Sequence, residues 1–185
     1  MSAAKSFEEA HERHEHGHDG PRWIPVAAAA LAVLAALSGY FGNVRSTSAL
    51  FAKNESIVAT THASDTYAQY QAERLKYYVS QAAIDQGINP GGNAAKLVAA
   101  AKREAAKAPP LLARGREYDA EAVRWSARSE QLLRQHETIE VGSTLFEVAI
   151  VLISITALVG SRLLPITAGI AAALGMLFFV IGLVI

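Results

Sequence analysis

From residue 23 to residue 44 the chain runs for 22 residues without a charged side chain. As a helix that run is about 33 Å long, enough to cross a hydrocarbon core of about 30 Å. Trp23 and Tyr40 stand near its two ends, where amphipathic rings favour a membrane interface. Pro25 falls in the first turn, where its missing N–H costs nothing. A cleaved signal peptide is the rival reading, with Ala36 and Ser38 as the small residues before the cut. Against it, the leader 1–22 carries five acidic residues, and the apolar run is too long for a signal's hydrophobic region.

Two further runs close the sequence. Residues 141–160 are interrupted only by Glu147, and residues 163–185 carry no charge. Gly160-Ser161-Arg162 and Pro165 leave room for nothing but a tight turn between them, so the two runs form an antiparallel pair. Small residues recur every four positions, at Ala28, Ala32 and Ala36 and again at Ala171 and Gly175. Such faces let helix backbones approach closely where no hydrophobic effect drives association.

The middle of the chain is polar. Residues 45–140 hold 13 Lys/Arg and 11 Asp/Glu, with no strand-like alternation. Residues 45–86 contain neither proline nor glycine and predict one long helix. The cluster Gly87-Ile88-Asn89-Pro90-Gly91-Gly92 predicts a turn, after which helix resumes near Asn93 and continues through Lys107. Pro109-Pro110 and Gly115 predict a break with a kink over 109–115, before residues 116–140 lead into the second apolar run. The outgoing arm is about 63 Å long and the returning pieces together about 60 Å, the match expected of a hairpin. The fold class that follows is an all-α integral membrane protein. It has three transmembrane helices and a long antiparallel helical hairpin between the first and second.

Leu50, Ile57, Tyr67, Tyr70, Leu75, Tyr78 and Ala82 recur at roughly helical intervals and are the expected seam of that hairpin. One two-helix hairpin buries little, so it is expected to pack against other copies as a homo-oligomer or against a membrane-protein partner. The Lys/Arg near the apolar runs are Arg13, Arg22 and Arg162 on one side, and Arg45, Lys53, Arg124, Arg128 and Arg134 on the other. That excess places the hairpin on the cytoplasmic side.

Composition excludes several classes. The chain has no cysteine, hence no disulfide, thiolate zinc site or cysteine nucleophile. Seventeen Lys/Arg balance 17 Asp/Glu, so no overall field draws nucleic acid. Residues 87–92 lack the Lys-Ser/Thr of a phosphate loop, and no Ser or His stands in a nucleophile context. A non-enzymatic protein without a cofactor is expected.

The stretch Tyr67-Ala68-Gln69-Tyr70-Gln71-Ala72-Glu73-Arg74-Leu75-Lys76 resembles a family of bacterial inner-membrane proteins known only as domain of unknown function four-three-three-seven. Its members are similar in having a polar leader, an Ala-rich span, an aromatic-Gln-Ala helix and a closing pair of spans, the first with a Glu. Residues 23–43, the Tyr-Gln-Ala stretch and Phe146-Glu147-Val148-Ala149-Ile150-Val151-Leu152 match that order, so the resemblance covers almost the whole chain. The family carries a Trp and a Lys in the stretch where this chain has Tyr67 and Glu73 or Arg74. The resemblance implies the architecture, a bacterial origin and an inner-membrane location, and supplies no activity.

Three sets of residues are candidates for more than architecture. His11, His14 and His18 share one face if the leader is helical, a pattern that could hold Zn²⁺, Ni²⁺ or Cu²⁺ or belong to a plain solvated tail. Glu147 lies six residues, about 9 Å, inside its apolar run, and an equal count back from Val44 reaches Ser38, with Arg45 nearer the surface. Its roles open at this point are a structural hydrogen bond, a contact between subunits, or a proton or ion path. Tyr67, Tyr70 and Gln71 mark the stalk, where tyrosines serve packing or stack on a ligand. An assembly or partner-docking stalk is the leading functional expectation. The alternative is a small channel or metal-transport component using Glu147 and the leader histidines.

Overall fold

The computed structural model describes residues 23–87 and 94–185. Among them the chain is helical throughout, with no strand: α1 is Trp23–Asp85, α2 is Ala94–Val159 and α3 is Leu163–Val184. Each is long and apolar enough to cross a membrane. The leader candidates His11, His14 and His18 lie outside the described residues, as does most of the expected turn at 87–92.

Helix boundaries follow local chemistry. α1 runs unbroken for 63 residues because nothing after Pro25 removes a backbone donor. Beyond its end Gly87 takes φ +66° and its N–H bonds the Ile84 carbonyl at 3.0 Å, a conformation that a residue lacking Cβ adopts without strain. Gly160 does the same after α2, at φ +65° and 3.0 Å from the Thr156 carbonyl. One expectation fails. α2 continues through Pro109-Pro110 and Gly115, where a break was expected. The prolines withdraw the donors that the Ala105 and Ala106 carbonyls would have used, but all four residues are exposed, so water can satisfy those carbonyls.

The chain divides into two compact units, Met1–Ser46 with Leu133–Ile185, and Thr47–Leu132. In the Thr47–Leu132 unit the buried face of α1 is Ala49, Ala52, Ser56, Ala59, Ala63 and Thr66. Their steps of three and four residues keep one side of a helix toward a neighbour. On α2 the buried residues Ala101, Ala108, Gly115, Ala122 and Ser129 recur every seven positions. Ser56 donates to the Ala122 carbonyl at 2.9 Å, and Ser129 donates to the Ala49 carbonyl at 2.8 Å. Hydroxyls this short reach a neighbour's backbone only where two helices nearly touch. Partner numbers fall on α2 as they rise on α1, the order of antiparallel contact.

This seam replaces the expected one. Leu50, Ile57, Leu75 and Tyr78 are all at least half exposed, and Ala82 is exposed, while Tyr67 and Tyr70 are half-buried. On α1 the inner face goes to alanine and serine, which hold the backbones close, and the large apolar residue buried against them is Leu132 of α2, packed on Ala49 and Ala52.

In the other unit Ile24, Leu31, Phe146, Ala149, Ile153 and Ala168 form the buried core, drawn from all three helices. α2 and α3 meet at glycines: a methyl on Gly142 would lie 2.8 Å from the Gly175 carbonyl oxygen, and one on Gly182 would lie 2.6 Å from an Ile139 side-chain carbon. Gly175 is buried and Ala171 half-buried, as the four-residue spacing suggested. Along α1 the same rule misplaces the face, since Ala28 is half-buried but Ala32 and Ala36 are exposed.

Candidate functional site

Three polar contacts fix the register of α1 against α2 in the first unit. Ser38 donates to the Ile139 carbonyl at 3.2 Å, Ser143 donates to the Ala35 carbonyl at 3.5 Å, and His136 Nδ1 lies 3.0 Å from the Gly42 carbonyl. A carbonyl only accepts, so Nδ1 carries the proton in that contact. The paired residue numbers sum to 177 or 178, so Glu147 falls level with residues 30–31 of α1. Counting from each helix's own charge boundary had set Ser38 opposite Glu147. The packing instead sets Ser38 opposite Ile139, with Glu147 two turns further into the uncharged run.

Ser38 and Glu147 nevertheless line one groove of about 360 Å³, with Glu147 at one end, Ser46 at the other and Ser38 between them. Gly39 and Gly42 form part of its α1 wall; His136, Glu140, Ser143 and Thr144 stand on its α2 wall. Arg45 is not among the lining residues; its place is taken by Asn43 and Ser46. His136 turns Nε2 toward the Glu140 carboxylate at 3.6 Å. Thr144 donates to the Glu140 carbonyl at 3.0 Å. Ser38, Ser143 and Thr144 thus all spend their protons on backbone carbonyls and present lone pairs to the groove. Toward the Glu147 end it is rich in acceptors and poor in donors.

The groove was only partly visible from sequence. His136, Glu140, Ser143, Thr144 and Glu147 recur at i, i+4, i+7, i+8 and i+11, one face of a helix, and that signal was available. The apolar run of α2 opens at Val141 and splits that face between a polar and an apolar segment, which hides it.

The stalk candidates separate. Tyr67 bridges the two helices, donating to Asp119 Oδ2 at 2.6 Å, and that hydrogen bond, with burial, raises the phenol's pKa. Its ring lies over Gly115, where a methyl would come 2.7 Å from a ring carbon. Tyr70 and Tyr78 flank Arg74, which stacks on both rings at 5.7 and 5.0 Å and bonds both hydroxyls. Their faces are therefore engaged within α1. Gln71 is exposed beside a shallow cleft that Thr60, Tyr67 and Asp119 also line.

Sequence reading missed a charge cluster one turn further on. Glu73 accepts from Lys76 at 2.9 Å and pairs with Lys107 of α2 at 3.5 Å, while Lys107 also pairs with Glu104 at 3.0 Å. Hydrogen bonding with Glu104 and Lys76, aided by the Lys107 and Lys76 charges against a desolvation that opposes them, holds the Glu73 carboxyl at about 2. Hydrogen bonding with Glu104 raises the Lys107 pKa in turn. The cluster is an ion-pair clasp between α1 and α2. Among the described residues no group of three or more His, Cys, Asp or Glu could hold a metal ion.

No curated protein and no solved structure matches the chain. A family model does match, over residues 21–185, and it takes in all three helices, the groove and the clasp: the chain belongs to the family described as a domain of unknown function (DUF4337).

Proposed function

We propose that this is a non-enzymatic membrane protein that works by assembly, with its three apolar helices in the bilayer and residues 47–132 acting as a helical, coiled-coil-like stalk on which copies or partners dock. The observation that carries this reading is the inverted arrangement of the stalk. The inner face of α1 there is made of alanine, serine and threonine, whereas Leu50, Phe51, Ile57 and Val58 lie 49–65% exposed on the same helix. A helix with small residues on its inner face and large apolar ones on its outer face is built to be covered. The expected home is the inner membrane of a bacterium. The family resemblance supports that location, and the Lys/Arg excess beside the stalk supports its lying on the cytoplasmic side.

The test is particle mass in mild detergent for the wild-type chain and for Leu50→Glu with Ile57→Glu. The expected result is a wild-type homo-oligomer, or a complex with a co-purifying membrane protein, that the double variant reduces to a single chain. A wild-type protein that runs as one chain with nothing bound would refute the reading. The polar groove favours a second reading, a channel or ion-transport component, and vesicle flux lost on Glu147→Gln would replace the first reading with it.

A further inference from the structure

We propose that the groove between α1 and α2 receives a transmembrane helix of another protein, one that carries a lysine or arginine at the depth of Glu147. The inference rests on the membrane reading above and names the partner's chemistry at one surface.

Depth comes first. The groove's α2 wall runs from His136 to Glu147, level with residues 30–42 of α1, and that whole stretch of α1 is uncharged. α3 is uncharged as well. Both neighbours are therefore without a charge at the levels where α2 carries carboxylates. The polar groups also face outward: Thr144 and Glu147 are exposed, and the Glu140 side chain is 67% exposed. In a bilayer that surface would meet lipid, where an ionisable side chain is costly unless protein or water covers it.

The groove's hydrogen-bonding character then selects the cover. Ser38, Ser143 and Thr144 have given their protons to backbone carbonyls. Ser38 is fully buried, so what Ser143, Thr144 and the two carboxylates offer outward are acceptors, and the matching occupant brings donors and positive charge. A second copy of this chain does not fit. Between residues 23 and 44, 135 and 161, and 163 and 185 it has no lysine or arginine, so it would set carboxylate against carboxylate at the same depth. There is room for an incoming side chain, because a methyl on Gly39 would meet nothing within 4 Å.

The experiment uses the full-length chain in phosphatidylcholine vesicles. It has no native cysteine, so a fluorophore on Leu163→Cys labels it uniquely. The probes are labelled Leu/Ala transmembrane peptides bearing Lys, Leu or Glu at the central position, with binding read by energy transfer. The Lys peptide is expected to bind about tenfold more tightly than the Leu peptide, the scale of polar contacts between membrane helices. The Glu peptide should bind no better than the Leu peptide. Glu147→Gln should erase the preference for the Lys peptide over the Leu peptide. Equal binding of all three peptides to the wild-type chain overturns the proposal without help from any variant. So does disulfide formation between copies of Thr144→Cys, which would show the groove covered by a second copy. So does a cation flux that depends on Glu147. If the wild-type chain fails to enter vesicles, the membrane reading falls and this proposal with it; insertion without a Lys preference refutes this proposal alone.

Discussion

Replacing Gly142 with alanine should loosen α2 from α3, and the geometry sets the size of the effect. The new methyl would lie 2.8 Å from the Gly175 carbonyl oxygen and 3.0 Å from the Phe179 nitrogen. Ordinary contact begins near 3.4 Å, so the helices must part by about 0.6 Å. Both obstructing atoms are backbone, and no rotamer change can move them aside. Overpacking of this kind costs about 1–3 kcal/mol. In a chain of this size that corresponds to roughly 2–12 °C in melting temperature. Gly169→Ala on α3 is the control, because a methyl there meets nothing within 4 Å. It also removes a helix-interior glycine, which favours the folded state if it has any effect. Thermal melts in one mild detergent, followed by circular dichroism, compare the two. Were Gly142→Ala to melt with the wild type, or Gly169→Ala to fall as far as Gly142→Ala, the close approach of α2 and α3 would be refuted.

Two further outcomes concern the stalk. Gly115→Ala should push the Tyr67 ring off its place and break its bond to Asp119, costing about 1–3 kcal/mol, and the penalty should vanish in a Tyr67→Ala background; a penalty that persists there would locate the strain elsewhere. Glu73, held at about 2 in the fold and returning to the ordinary carboxylate range on unfolding, adds stability that is complete above that range and lost as pH falls toward 2, so the gap between wild type and Glu73→Gln should close over that window, and a gap indifferent to acid would contradict the clasp.

Three apolar helices were legible because an uncharged run of about 20 residues has few other uses. The end of α1 was legible from Gly87, and the close of α2 from Gly160, since glycine readily adopts the positive φ that both require. The seam of residues 47–132 was not, because the usual mark of a buried helix face is large apolar residues at helical spacing. Leu50 and Ile57 satisfy that pattern as well on an outer face as on an inner one, and nothing in their spacing says which. The alanines at 49, 52, 59 and 63 carry the seam's three-four rhythm but hide among the chain's many other alanines. Pro109-Pro110 misled in the opposite sense: the lost hydrogen bonds are real, yet they fall on exposed residues and do not end the helix. Glu147 stands out in the sequence as the one charge inside its apolar run, whereas the groove that contains it depends on the offset between α1 and α2. That offset is a property of packing, and no single helix encodes it.

The small seam and the exposed apolar face are two sides of one choice. Burying a Leu, Ile or Phe side chain is worth about 1.5–3 kcal/mol, whereas an alanine methyl contributes about 0.8 kcal/mol. A seam of alanines therefore stabilises a helix pair far less through burial than a leucine seam would. What it gains is proximity, close enough for Ser56 and Ser129 to bond the opposite backbone. Such hydrogen bonds contribute about 0.5–1.5 kcal/mol each, and they demand one register. Register is thereby fixed by geometry within the pair, and most of the available apolar burial is left on the outside, at Leu50, Phe51, Ile57 and Val58. A pair built this way is specific before it is stable, and its largest remaining gain comes from whatever covers that outer face.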